Sequence, residues 1–138
     1  MPLAFTITLE KDLPADFATY QKAGQGKALA READRLDTAA RAKKVTPITS
    51  LLSENPEKLA EQLRLDGFDP AKMRLPAEQW FAAAEGVKTV RGLIGNVGAN
   101  LNNFKQPNPI LRDLKSAEAL LVAAERAGVR FHFTKADV

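Results

Sequence analysis

Leu3-Ala4-Phe5-Thr6-Ile7-Thr8-Leu9-Glu10 alternates: Leu3, Phe5, Ile7 and Leu9 fall on one face, Ala4, Thr6, Thr8 and Glu10 on the other. That period of two reads as a half-buried strand. Its counterpart stands at the far end of the chain, where Val129, Phe131 and Phe133 alternate with Arg130, His132 and Thr134. Two strands alone are marginal in water, so helices must cover their apolar face. The expected fold is α+β and mainly helical. Three long helices plus short ones pack on a small sheet formed by the N- and C-terminal strands, in a single domain over residues 1–138. A small sheet also has edges, and a second copy completing it through an open edge is the alternative.

The segments between the strands supply the helices. Pro14 suits a first helical turn, with Leu13, Phe17 and Tyr20 as a short apolar stripe before Gly24-Gln25-Gly26. Lys27 to Lys44 reads as one helix, because Leu29, Ala33, Leu36 and Ala40 share a face. Its last turn carries Arg41, Lys43 and Lys44, which suit the negative end of a helix dipole. Thr46-Pro47, Asn55-Pro56 and Asp69-Pro70 each open a short helix, the second carrying Leu59 and Leu63. Within Glu78 to Asn103, Val87, Val90, Ile94, Val97 and Leu101 form a second long stripe, with Trp80 and Phe81 as an apolar anchor before it. Asn108-Pro109 opens the third long helix, which carries Leu114, Ala117, Leu121 and Ala124 and ends at Gly128.

Composition narrows the chemistry. Of 138 residues, 23 are Ala, so the core is thin and built on close helix packing. The absence of Cys excludes a disulfide scaffold, a thiol nucleophile and thiolate zinc sites. A single His excludes a His-rich metal site, and no cofactor is expected. The net charge of +3 is spread along the chain without a strongly basic block, so nucleic acid is an unfavoured partner. No basic leader and no apolar run of about 20 residues occurs, so no membrane partner is expected and the expected location is cytoplasmic.

Two motifs carry candidate sites. His132, the only imidazole, is the one candidate general base. It lacks an orienting carboxylate nearby in the sequence, and a solvated or hydrogen-bonded strand histidine is the plainer alternative. Leu93-Ile94-Gly95-Asn96-Val97-Gly98-Ala99-Asn100-Leu101 resembles the Ile-Gly-x-x-Gly core of KH RNA-binding modules over nine residues. In that family the loop clamps nucleotide backbone between two helices, so the resemblance implies single-stranded nucleic-acid binding at Gly95 and Gly98. The chain departs from the family at Asn96 and Val97, where a Lys or Arg is usual. It departs again at Pro107 and Pro109, which lead into a helix rather than a strand. On a continuous helix, Gly92, Gly95 and Gly98 instead form a smooth strip for close packing. Asn96 and Asn100, four apart, share a face that suits a polar ligand or partner strand.

Gly24-Gln25-Gly26-Lys27 lacks the spacing of a phosphate loop, and no catalytic signature occurs elsewhere. The leading expectation is a non-catalytic protein acting through contacts with another protein or a second copy. The alternatives are single-stranded nucleic-acid binding through the Gly95–Gly98 run with Arg41, Lys43 and Lys44, and a small-molecule enzyme using His132 with a carboxylate brought by the fold.

Overall fold

A computed structural model describes residues 3–11, 13, 26–72, 75 and 77–137. The helix expected from Pro14 with Phe17 and Tyr20, and the Gly24-Gln25 interruption, lie outside them. Over the described residues the chain is α+β and mainly helical. Strand β1 (Leu3–Leu9) pairs antiparallel with β2 (Phe131–Asp137), as the two alternating ends require. Thr8 stands opposite His132, and Ile7 opposite Phe133. The pairing runs one residue further through Glu10, whose N–H donates to Arg130 O at 2.9 Å.

The edge of β2 away from β1 is met by this chain's own segments. Phe81 and Phe131 exchange backbone hydrogen bonds at 2.8 and 2.9 Å, and Ser53 N–H donates to Phe133 O at 2.9 Å. On the other edge, Phe5 N–H donates to Gly26 O at 3.1 Å. Gly26 must be glycine here: its φ is 69°, and a Cβ would lie 2.0 Å from the Phe5 carbonyl oxygen. These contacts correct the expectation of an open edge along β2.

Helices α4 (Ala83–Ala99) and α5 (Pro107–Ala127) pack on each other and on the sheet. Their buried faces are Val87, Val90, Leu93 and Val97 on α4, and Ile110, Leu114, Ala117, Leu121 and Ala124 on α5. The expected α4 stripe is shifted at two places. Leu93 rather than Ile94 is fully buried, and Leu101 falls in the 3₁₀ turn after the helix, 45% exposed. Gly128 ends α5 in the left-handed region, as expected, and lets Val129 N–H donate to Ala124 O at 2.9 Å. Its N-terminus differs: Gln106 precedes the helix and Pro107 occupies the first position, so Asn108 is inside it.

Lys27 to Lys44 is two helices, α1 (Lys27–Arg31) and α2 (Ala33–Ala42), broken at Glu32. The cause is a tertiary contact. The Glu32 carboxylate turns inward and accepts Lys105 N–H at 2.6 Å and Gln106 N–H at 3.1 Å, just before α5. Asp113 on α5 reciprocates by accepting Ala28 N–H at 3.0 Å. Leu29, Leu36 and Ala40 still reach the core, while Ala33 is only partly buried.

Helix α3 (Pro56–Leu65) opens as its sequence dictates, with Asn55 Oδ1 accepting Glu57 N–H at 2.8 Å. It is followed by a 3₁₀ turn, Pro70–Lys72. None of the residues of α3 is buried.

The glycine strip packs closely at one position only. A Cβ on Gly92 would meet Val45 at 3.2 Å, whereas Gly98 has nothing within 4 Å and Gly95 only the tip of Lys43 at 4.0 Å. Interior glycine costs a helix about 1 kcal/mol relative to alanine. Gly95→Ala should therefore raise stability by about 1 kcal/mol in urea denaturation, and Gly98→Ala, in the last turn, by less. Gly92→Ala should gain nothing; an equal gain at all three positions would contradict the Val45 contact.

Candidate functional site

The sheet carries its apolar residues on one face and a polar network on the other. Phe131 and Phe133 enter the core edge to face, with ring centroids 5.6 Å apart. His132, between them in sequence, points the opposite way and is still buried, 1% exposed. Pairing of Phe81 with Phe131 lays the preceding extended segment alongside β2. That places Trp80 over the imidazole, centroids 4.7 Å apart. It also brings Glu78 Oε2 to 2.7 Å from His132 Nε2.

The second ring nitrogen, Nδ1, lies 3.1 Å from Phe133 O and 3.2 Å from Thr134 Oγ1. Thr134 Oγ1 in turn lies 2.6 Å from Thr8 Oγ1 across the strands. A tautomer with Nε2–H donating to Glu78 leaves Nδ1 to accept the Thr134 hydroxyl, and Thr8 completes the chain. The orienting carboxylate missing from the sequence neighbourhood is thus supplied 54 residues away. The order carboxylate, imidazole, hydroxyl is that of nucleophilic hydrolases. Here the imidazole is enclosed and both of its nitrogens are engaged, so the network fastens residues 78–81 to the sheet.

Beyond it, Arg130 donates to Glu10 at 3.1 Å through Nε and a second time through its terminal nitrogen. The hydrogen bond from Arg130 holds the Glu10 carboxyl below its ordinary value, and Glu10 raises Arg130 in return. His132→Leu keeps volume but removes the imidazole partner of the Glu78 carboxylate, while the Thr134 hydroxyl keeps only Thr8. It should cost about 1–3 kcal/mol, read by urea denaturation. An unchanged midpoint would show that the network contributes nothing to stability.

The Gly95–Gly98 run lies within α4, not in a loop. The clamp that the KH resemblance implies is therefore not formed there. Asn100 ends the helix, its side chain donating to Asn96 O at 2.9 Å. Arg41 is in the last turn of α2, Lys43 follows it, and Lys44 takes a left-handed φ of 58°. All three are exposed, and the Lys43 ammonium lies 4.0 Å from where a Cβ on Gly95 would stand. The fold thus joins two candidate sets, the basic end of α2 and the Gly95–Asn96 face of α4.

Between these elements runs a cleft of about 360 Å³, lined by Arg35, Thr38, Ala39, Ala42, Asn96, Asn103 and Phe104. No carboxylate is among these lining residues. A second surface was not singled out from sequence. Leu65 is 77% exposed and Phe68 is 58% exposed, at the end of α3 and in the turn after it. Phe68 stands between Asp66 and Asp69, and its N–H donates to Leu63 O at 2.8 Å. The available signal was a large aromatic in an Asp-Gly-Phe-Asp turn, three residues beyond an off-stripe leucine.

Comparison with known protein families, curated proteins and solved structures finds no match to this chain. Among the described residues, no helix is long and apolar enough to cross a membrane, and no cluster of three or more His, Asp or Glu is arranged to hold a metal ion.

Proposed function

We propose that this chain is a non-catalytic contact module whose binding surface is the arm formed by α3 and the turn through Phe68. One observation carries the reading: a ten-residue helix has no buried residue, and the arm ends in two large, exposed apolar side chains. Such a helix gains little from its own domain, because most helical stability in proteins comes from packing. A partner that covers Leu65 and Phe68 supplies the missing burial, as exposed apolar surface at interaction sites commonly does. The arm from Glu54 to Lys72 carries five acidic and three basic residues, which favours a partner surface with basic character.

The test is a Leu65→Glu, Phe68→Glu variant, used beside the natural protein as bait in the native cell extract. Both positions are exposed, so stability should stay within about 0.5 kcal/mol. The proteins retained by the natural chain should be lost from the variant. Retention of the same set by both would end this reading.

A catalytic reading has the Glu78–His132–Thr134 order behind it. Enclosure of the imidazole favours the contact module. Hydrolysis of an activated ester that disappears on Thr134→Val, with folding intact, would reverse that preference.

A further inference from the structure

We infer that the partner is a second copy of this chain, the Phe68 knob of one protomer seating in the cleft between α2 and α4 of the next. This rests on the arm being the contact surface. Three observations match the two faces.

The first is shape. The knob is one exposed phenyl group raised on a tight turn. The cleft, about 360 Å³ with Phe104 in its wall and Ala39 and Ala42 as small residues, has room for an aromatic ring. Rings pack favourably against each other in offset or edge-to-face geometry.

The second is charge. Phe68 is flanked by Asp66 and Asp69, and the arm is net negative. The cleft contains Arg35, 46% exposed and paired on one side with the buried Glu32, and the exposed Arg41 and Lys43 are the chain neighbours of its lining residue Ala42. An acidic knob and a basic receptor attract, and like surfaces repel, so the knob has no reason to pair with another knob.

The third is polar satisfaction. Asn96 and Asn103 line the cleft and offer amide donors to the aspartates beside Phe68. The contact is heterologous: each protomer offers one knob and one cleft, so growth is open-ended unless the rotation closes a ring. It is also small, in the range below about 1,200 Å² where complexes are weak and transient.

The experiment uses the purified full chain in sedimentation velocity across a wide concentration range, at low and high salt. The natural chain should associate reversibly, and more weakly at high salt because the flanking charges are exposed. Two variants separate the faces. Phe68→Ser with Asp66→Lys removes the knob; Ala42→Glu with Lys43→Glu closes the cleft. All four substituted positions are exposed, and circular dichroism checks that both variants fold.

Each variant alone should associate at least about tenfold more weakly than the natural chain. Mixed together they should form a one-to-one dimer, since one retains its cleft and the other its knob. A natural chain that stays monomeric at every concentration overturns the inference, as does a mixture that fails to dimerise. Loss of captured proteins on Leu65→Glu, Phe68→Glu in cell extract, beside a strictly monomeric natural chain, would overturn this inference and leave the contact-module reading standing.

Discussion

Phe131→Ala should lower stability by about 3–5 kcal/mol, the range for removing a buried aromatic ring. Phe131 is fully buried at the junction of every layer. Its ring meets Phe133 edge to face and Phe81 at a centroid distance of 6.4 Å. It also fills the space left by Gly86 on α4: a Cβ there would lie 2.5 Å from Phe131 Cζ and 2.8 Å from Cε1. Gly86→Ala therefore overpacks the core and should cost about 1–3 kcal/mol by itself. The two sites are coupled. Phe131→Leu removes the two closest atoms, leaving Leu121 Cδ1 at 3.0 Å, so the double variant Gly86→Ala, Phe131→Leu should be more stable than the sum of the single losses predicts. Urea denaturation of the four proteins, with unchanged slopes, measures the coupling. Simple additivity would show that Gly86 is not the seat of the Phe131 ring.

Gly86 also shows where sequence reading stops. A pattern of glycines every third residue drew attention to Gly92, Gly95 and Gly98, because spacing is visible in one dimension. Among the α4 glycines the one with the closest contact is Gly86, and what fills its space is a ring from a strand 45 residues away. The strands themselves were legible, since alternation encodes the sheet face locally. So was the buried face of α5, where Leu114, Ala117, Leu121 and Ala124 are spaced as a helix requires. His132 was legible as a side chain facing away from Phe131 and Phe133. Its burial was not, because Trp80 and Glu78 cover it from a separate segment.

The same distinction separates the candidate sites. Arg41, Lys43 and Lys44 stood out as a local cluster, as did Gly95, Asn96, Gly98 and Asn100 in α4. Their proximity follows from the packing of α2 on α4, which neither pattern contains. The arm was visible as a helix through Leu59 and Leu63. That none of its residues is buried is a property of the whole fold. Exposure of Phe68 could not be inferred from its residue type, since the other six phenylalanines include five that are core or packed against it, Phe5, Phe81, Phe104, Phe131 and Phe133.

Glu32→Ala should cost about 3 kcal/mol or more, and the loss should vanish in acid. The carboxylate accepts two backbone N–H groups, from Lys105 and Gln106, and pairs with Arg35 at 3.1 Å. Hydrogen bonds to a charged group are worth about 1.5–3 kcal/mol each, and substitution leaves two donors without their acceptor. The Arg35 side chain is 46% exposed, so it adds less than the N–H groups. Burial pushes the Glu32 carboxyl up, but the two N–H donors and Arg35 together outweigh it and leave it below its ordinary value of 4.5. The folded state therefore holds the carboxylate more tightly ionised than the unfolded chain does. That contribution is complete above pH 4.5 and is lost as pH falls through the lower folded value. Denaturant midpoints of the natural chain and Glu32→Ala, measured from neutral pH down into this window, should converge as the carboxylate protonates. A gap between them that persists unchanged below the window would mean that Glu32 acts by filling space at the helix break, and not by its charge.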